Sequence, residues 1–119
     1  MSTPSYKELT REINANLSPF RKTQSETMQG FGALAKAAMA PGAIDAKTKE
    51  LIAMAIGVAA RCDGCLGFHA KALVHLGATR EEFEEMLGVA VYMGGGPSLM
   101  YAANALAAYE EFGGAAAVA

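Results

Sequence analysis

Apolar residues recur every three or four positions along most of this 119-residue chain. Such spacing places them on one face of an α-helix, whereas a half-buried strand would alternate apolar and polar residues, and no segment does so. Six stretches carry the helical pattern: residues 6–17, 20–39, 46–60, 63–76, 80–93 and 97–112. The sequence therefore predicts an all-α bundle of about six helices.

Turn and capping signals separate these stretches. The dipeptides Ser-Pro at 18–19, Pro-Gly at 41–42 and Asp-Gly at 63–64 combine residues that are unfavourable inside a helix. We therefore expect a break in the helical structure at each of these three points. Thr79 is a favourable N-cap, and Glu82 three residues later completes a capping box.

The charge balance excludes several classes of partner. Ten basic and twelve acidic residues give a formal net charge of −2, so we expect no nucleic-acid binding and no attraction to anionic membrane surfaces. The longest apolar run, residues 51–60, has about half the roughly twenty residues that a membrane-spanning helix needs. The polar N-terminal segment is unlike a signal peptide. We expect a cytoplasmic protein, in which a close cysteine pair is typically catalytic or metal-binding.

The apolar content exceeds what a small monomer readily buries. Hydrophobic residues make up 52 % of the chain and charged residues 18 %, and small domains have a high ratio of surface to volume. We expect a single domain over 1–119, with N-terminal helices over 1–40 and a core over 41–112 that carries the active site. The stretch 46–60 is apolar almost all round, which predicts a buried helix. The remaining excess of apolar residues predicts that other subunits cover part of the surface.

Both cysteines and both histidines lie in one short segment, residues 61–77. On a helix with about 100° per residue, Cys62, Cys65 and His69 fall within one narrow stripe, whereas His75 falls on the far side. A closed zinc site needs four converging ligands, which His75 does not readily complete. Zinc held by the other three residues together with Glu50 or a water molecule is the less favoured alternative.

The spacing also distinguishes the two cysteines. Cys65 and His69 are four residues apart and are neighbours on a helix, whereas Cys62 lies about 10 Å from His69 along the axis. A helix N-terminus lowers the pKa of a thiol in its first turn, which favours Cys62. We give the histidine base more weight than the helix N-terminus and predict that Cys65 is the nucleophile. Cys62, with its α-carbon about 5 Å away, is close enough to form a disulfide with it.

A histidine base needs a group that orients it. If the third and fourth helices fold back on one another as a hairpin, Glu50 comes within reach of His69, directly or through one water molecule. Glu50 is the only acidic residue in the hydrophobic stretch 50–62 and lies at its edge. We therefore predict that Glu50 orients His69.

The order of Glu50, Cys62, Cys65 and His69, with eleven, two and three residues between them, resembles the motif of the alkyl hydroperoxidase D (AhpD) family. That family belongs to the larger carboxymuconolactone decarboxylase superfamily. The GGGP stretch at 94–97, followed by an alanine-rich helix, is also similar to the superfamily. The resemblance covers about residues 35–110 and implies an all-α fold that assembles as a trimer or hexamer. It also implies a peroxidatic Cys65, a resolving Cys62 and a Glu50–His69 proton relay.

By this resemblance we expect a thiol-dependent peroxidase or disulfide oxidoreductase that needs no metal and no bound cofactor. Its substrate would be a hydroperoxide or a disulfide, and an external dithiol, for example a lipoyl group, would reduce it again. One position departs from the pattern, because AhpD has a histidine just before its second cysteine and this chain has Gly64 there. The departure predicts a less complete relay and a lower peroxidase activity.

Two other functions fit parts of the sequence. The first is a decarboxylase-like lyase that acts on a lactone acid. That chemistry does not call for a cysteine pair, and the arginines are scattered rather than clustered for a dicarboxylate. They are Arg11, Arg21, Arg61 and Arg80. The second is a non-enzymatic oligomer in which Cys62 and Cys65 hold a structural zinc ion or disulfide.

Overall fold

The computed structural model describes residues 5–117 and consists of six α-helices with their connections. They are α1 (Tyr6–Thr23), α2 (Ser25–Met39), α3 (Ala46–Ala59), α4 (Asp63–His75), α5 (Arg80–Gly94) and α6 (Gly96–Glu111). No strand occurs in this part of the chain. The predicted all-α class and the number of helices are therefore confirmed.

The core lies where α3, α4, α5 and α6 pack together. Its largest fully buried side chains are Met54, Val58, Leu66, Leu73 and Phe83. Phe83 of α5 contacts Tyr109 of α6, with ring centroids 4.7 Å apart. Because a buried phenol needs a hydrogen-bond partner, the Tyr109 hydroxyl donates to the carbonyl of Ala78 at 2.7 Å. This bond ties α6 to the connection between α4 and α5.

The predicted capping box at the start of α5 is confirmed. The Thr79 side chain accepts from the Glu82 amide at 3.1 Å, and the Glu82 carboxylate accepts from the Thr79 amide at 2.8 Å. The same carboxylate also binds the Lys47 ammonium at 2.7 Å. Glu82 therefore caps the N-terminus of α5 and also joins α5 to the first turn of α3.

The predicted break at 18–19 is wrong. Pro19 lies inside α1, which continues to Thr23, so α2 begins at Ser25 rather than at residue 20. A proline inside a helix removes one amide donor and leaves the carbonyl four residues earlier, here that of Ala15, without its partner. This half of α1 is mostly exposed, so water can bind that carbonyl and the helix tolerates the proline.

Glycines of α4 allow α1 to pack directly on its backbone. A Cβ atom at Gly67 would lie 2.5 Å from Cγ2 of Thr10 and 3.5 Å from the carbonyl oxygen of Tyr6. Thr10 is itself buried, and its hydroxyl donates to the Tyr6 carbonyl at 2.9 Å. Because Thr10 is β-branched and fixed by this bond, it has little freedom to move aside. The contact therefore requires a glycine at position 67.

The N-terminus of α1 is capped by a side chain from the other end of the chain. Glu111, the last residue of α6, accepts from the amides of Tyr6 (2.6 Å) and Lys7 (3.3 Å) and from the Ser5 hydroxyl (2.9 Å). Burial raises the pKa of the Glu111 carboxyl, but these hydrogen bonds outweigh it and hold the pKa below its ordinary value. The carboxylate also interacts favourably with the positive end of the helix dipole.

Helix α2 lies on the surface of the described part of the fold. None of its fifteen residues is buried. At its C-terminus, the Lys49 ammonium of α3 donates to the carbonyls of Ala38 (3.0 Å) and Ala40 (2.6 Å). Carbonyls at the end of a helix lack intrahelical donors, and a cation there also suits the helix dipole.

The prediction that the third helix is buried on all sides is wrong. Met54, Gly57 and Val58 of α3 are buried, but Ile52 and Ile56 are exposed. The neighbouring helices α4, α5 and α6 cover one side of α3, and within residues 5–117 these two side chains stay exposed. Among residues 5–117, no helix combines the length and the apolar character that crossing a membrane requires.

We expect Gly67→Ala to lower the free energy of unfolding by about 1–3 kcal/mol, because the added methyl group overpacks the contact with Thr10. Thr10→Ser removes Cγ2 but keeps the hydroxyl, so the two changes together should cost less than the sum of the single changes by about 1 kcal/mol. Urea unfolding of the four proteins of this cycle, with the disulfide described below intact, measures the coupling. Additive effects of the two substitutions would contradict the proposed contact.

We expect Glu111→Gln to lower the free energy of unfolding at pH 7 by about 1 kcal/mol, because the charge-assisted cap of α1 is weakened. The pKa of Glu111 is lower in the folded protein than its ordinary value of 4.5, so its stabilisation is complete above pH 4.5. The stabilisation is lost as the pH falls through the folded-state value. The difference between parent and variant should therefore shrink in acid. The exposed Glu85→Gln on α5 is the control, and an equal effect of both substitutions would refute the cap.

Candidate active site

The turn between α3 and α4 carries the cysteine pair. The amide of Cys62 donates to the carbonyl of Gly57 (3.0 Å), and that of Arg61 donates to the carbonyl of Val58 (3.1 Å). These two bonds form a Schellman motif, in which Arg61 adopts the left-handed conformation with φ at 58°. The chain reverses there, and Cys62 becomes the N-cap of α4.

The break between the third and fourth helices therefore lies at Arg61 rather than at 63–64, because residues 63 and 64 form the first turn of α4. The helix ends before Arg61 instead, since a left-handed residue turns the backbone away from the helix axis. The sequence conceals this turn because glycine usually occupies such a position. Asp63 suits its observed place, since an acidic side chain in the first turn interacts favourably with the helix dipole.

Cys62 and Cys65 are joined by a disulfide, with their α-carbons 5.2 Å apart. The Cys62 sulfur also accepts a hydrogen bond from the Cys65 amide at 3.2 Å, which makes it the side-chain cap of α4. Both residues are partly exposed. The first turn of α4 therefore contains a partly exposed disulfide.

Glu50 and His69 are in direct contact. Nδ1 of His69 lies 2.6 Å from Oε2 of Glu50, and the two side chains are 29 % and 16 % exposed. Because an ionised carboxylate can only accept, Nδ1 carries the proton of this bond and Nε2 is left able to take another. A hydrogen bond that fixes the tautomer and orientation of an imidazole is what a general base requires.

The lysines beside Glu50 are occupied by other partners. Lys47 binds Glu82, and Lys49 binds the C-terminal carbonyls of α2. Glu50 therefore does not form a cluster of charges with these two lysines. Glu50 instead turns towards α4 and the histidine.

Gly57 brings Cys65 close to α3. A Cβ atom at Gly57 would lie 3.0 Å from Cβ of Cys65, which is closer than side-chain carbons normally approach. Gly57 lies seven residues after Glu50, two helical turns along the same side of α3. Cys65, His69 and Glu50 therefore all lie along the seam between α3 and α4. Gly57 was not predicted as part of the site, although a glycine inside an apolar helix often has a packing reason.

Gly64 lies beneath a side chain of α1. A Cβ atom at this position would lie 2.8 Å from Cδ1 of Ile13. A histidine at residue 64, as in the AhpD pattern, would require Ile13 to move aside. Ile13 of α1 therefore occupies the space beside the cysteine turn that the absent histidine would need. No local pattern in the sequence indicates this contact between Ile13 and Gly64, because the two residues are distant along the chain.

His75 lies apart from the four predicted site residues. His75 is the exposed last residue of α4, away from the seam. In the part of the chain that the structure describes, no group of three or more His, Cys, Asp or Glu side chains is arranged to hold a metal ion. The converging ligand set that the zinc alternative requires is therefore not formed in this disulfide-bonded state.

Comparison with known proteins identifies relatives along most of the chain. A sequence model of the carboxymuconolactone decarboxylase family matches residues 25–108. An uncharacterized protein of Cupriavidus necator is 39 % identical over 108 residues, which cover 91 % of this chain and 96 % of that protein.

Two crystal structures are similar in both sequence and fold. An apo carboxymuconolactone decarboxylase family protein from Legionella pneumophila is 61 % identical with a TM-score of 0.88, and the match covers 90 % of this chain and 96 % of that one. A family protein from Thermotoga maritima, for which a part in an antioxidative response has been suggested, is 34 % identical with a TM-score of 0.72. That match covers 89 % of this chain and 87 % of the other.

We expect Arg61→Gly to raise the free energy of unfolding by about 1 kcal/mol, because a residue with a side chain is strained in the left-handed conformation and glycine is not. Ala60→Gly is the matched control, since Ala60 has an ordinary right-handed conformation. That neighbouring change should destabilise the protein by about 0.5–1 kcal/mol through the entropy of the unfolded chain. Urea unfolding of the oxidised proteins gives both values, and effects of the same sign would contradict the assignment.

Proposed function

The chain belongs to the carboxymuconolactone decarboxylase family, and we propose that it is a dithiol oxidoreductase that reduces hydroperoxides. The observation that carries the proposal is the Glu50–His69 hydrogen bond beside the Cys62–Cys65 disulfide. A base oriented by a carboxylate and placed one helical turn from a thiol is the arrangement that activates a cysteine nucleophile. The motif resembles that of AhpD, which supports the same chemistry.

The oxidative half of the cycle begins from the reduced dithiol. Nε2 of His69 takes the Cys65 proton, and the Glu50 carboxylate stabilises the imidazolium that forms. The Cys65 thiolate attacks the hydroperoxide, so that an S–O bond forms and the O–O bond breaks. The alkoxide leaves with the proton from His69 as an alcohol, and Cys65 becomes a sulfenic acid.

The Cys62 thiol then resolves the sulfenic acid. Its sulfur attacks the sulfur of Cys65, the S–S bond forms, and the S–O bond breaks with release of water. The α-carbon distance of 5.2 Å allows this bond within the first turn of α4. The disulfide is thus the expected product of one turnover.

An external dithiol completes the cycle. One of its thiolates attacks the protein disulfide to form a mixed disulfide, and its second thiol displaces the protein thiol from that bond. Two electrons pass to the protein, and the external dithiol leaves as its own disulfide. A lipoyl group is the class of dithiol that the resemblance to AhpD suggests.

A decarboxylase-like lyase is the second candidate, because the family carries that name. Its acid–base chemistry could use the Glu50–His69 pair. It leaves the Cys62–Cys65 disulfide without a chemical role, and one candidate for binding a dicarboxylate, Arg80, is already paired with Glu84 and Glu110. The dithiol mechanism accounts for more of the site.

We expect the reduced protein to lose both thiols on addition of one equivalent of cumene hydroperoxide, and Cys65→Ser to lose none rapidly. His69→Ala should slow the loss by about a hundredfold or more, since a positioned general base contributes roughly 10²–10⁴ in rate. His75→Ala is the matched control on the same helix and should react at the parent rate. Thiol titration over time measures all four proteins.

A further variant tests the order of the two cysteines. In Cys62→Ser the sulfenic acid on Cys65 has no resolving thiol, so a dimedone adduct should accumulate on Cys65 and be found by mass spectrometry. Survival of the parent thiols in peroxide would refute the proposal. Conversion of a carboxylated lactone at an unchanged rate in Cys65→Ser would instead establish the lyase.

A further inference from the structure

Two hollows adjoin on the surface of α4 and form one groove. The first, of about 540 Å³, has Phe68, Lys71 and Phe112 in its lining. The second, of about 390 Å³, lies between α4 and α1 and has Lys71, Phe112 and Arg11 in its lining. Because Lys71 and Phe112 line both hollows, we treat the two as continuous and call them the α1–α4 groove. Their volumes are typical of sites for small molecules, which occupy about 300–1,000 Å³.

The α1–α4 groove extends towards the cysteine turn. Phe68 is exposed and follows Cys65 by three residues, so the two side chains are neighbours on the surface of α4. The second hollow reaches Asn14 of α1. Asn14 directly follows Ile13, the residue that lies over Gly64 between the two cysteines. A molecule bound in the groove can therefore present a reactive group to Cys65.

The charged side chains of the groove are cations. Lys71 and Arg11 are exposed, and neither takes part in an ion pair within residues 5–117. No acidic residue of the described chain lines the groove, since Glu8 and Glu12 of α1 are not part of its wall. The nearby carboxylate of Glu111 is held by the N-terminus of α1. The groove is therefore electropositive, although the net charge of the protein is −2.

The apolar and the cationic parts of the groove lie at different distances from Cys65. Phe68 is about one helical turn away, whereas Lys71 follows Cys65 by six residues, about 9 Å along the helix axis. A ligand that contacts all three has an apolar body and, at one end, an anionic group. A carboxylate suits these cations, because lysine and arginine form charge-assisted hydrogen bonds with it.

We propose that the α1–α4 groove binds the substrate and that Lys71 and Arg11 select organic hydroperoxides that carry a carboxylate. This inference rests on the proposed dithiol chemistry and names a substrate class for it. The carboxylate binds the two cations and takes no part in the reaction. As in the cycle above, the Cys65 thiolate attacks the hydroperoxide, the S–O bond forms and the O–O bond breaks. The product that leaves is then a hydroxy acid.

The test compares 4-(2-hydroperoxypropan-2-yl)benzoate with its methyl ester, which lacks the negative charge. Stopped-flow thiol titration of the reduced protein gives a second-order rate constant for each, divided by that of free cysteine with the same compound. The ratio of carboxylate to ester should be about two to five in the wild type, the size of effect that exposed ion pairs give. It should fall towards one in about 1 M NaCl, because salt screens such pairs.

Substitutions of the two cations should change this ratio. Lys71→Gln and Arg11→Gln should each lower it by about half, and Lys71→Glu should bring it to one or below. Both positions are exposed, so these variants should fold. Lys36→Gln is the matched control, because Lys36 is exposed on α2 and lies outside the groove, and it should keep the wild-type ratio. Because the ratio is taken within each protein, any change in the reactivity of the Cys65 thiolate cancels.

Several outcomes would overturn the carboxylate preference. These are a wild-type ratio of one or less, a ratio that both Lys71→Gln and Arg11→Gln leave unchanged, and an equal decrease in Lys36→Gln, which would indicate a general effect of net charge. Reaction with both hydroperoxides at equal rates would overturn the preference and leave the dithiol chemistry standing. Reaction with neither would overturn both proposals.

Discussion

The close approach of α4 to its two neighbours is the constraint on which both the fold and the candidate site depend. On one side, Gly67 allows Thr10 of α1 to contact the backbone of α4. On the other side, Gly57 of α3 allows contact with Cys65. Interiors are packed densely enough that one added methyl group at either point must displace a helix or a side chain. The same closeness brings His69 of α4 within hydrogen-bond distance of Glu50 on α3.

Some helix ends in this protein are satisfied by groups on other helices. Glu111 of α6 caps the N-terminus of α1, and Lys49 of α3 binds carbonyls at the C-terminus of α2. Both bonds meet unpaired backbone groups, suit the helix dipole and also fix how two helices are joined. Local stability of the helices is therefore coupled to the tertiary arrangement, which suits a chain whose glycines and alanines provide few large side chains for packing.

The helices could be predicted from the sequence because periodicity is a local property, and the capping box at Thr79 is local too. The errors arose where surroundings outweigh local preference. Pro19 is tolerated because its part of α1 is exposed, and the turn at Arg61 is formed by a residue that rarely adopts its conformation. Ile52 and Ile56 are apolar but exposed, since burial depends on what faces them and the described part of the chain leaves them uncovered.

The candidate site was more predictable than these details, because the spacing of Cys62, Cys65 and His69 within one helix fixes their relative positions. The contact between Glu50 and His69 required an additional step, the assumption of a hairpin between α3 and α4. The contact between Ile13 and Gly64 could not be predicted in either way, because it depends on how α1 crosses α4. Contacts between elements distant in sequence leave no trace in local spacing.

The position of Cys62 links the proposed redox cycle to the stability of α4. As N-cap, its sulfur accepts a hydrogen bond from the Cys65 amide in the disulfide-bonded state. A thiolate in the same place would accept that hydrogen bond more strongly, because the bond would be charge-assisted. Within the proposed cycle, α4 would therefore keep an N-terminal cap when the disulfide is reduced, and reduction would not unravel its first turn.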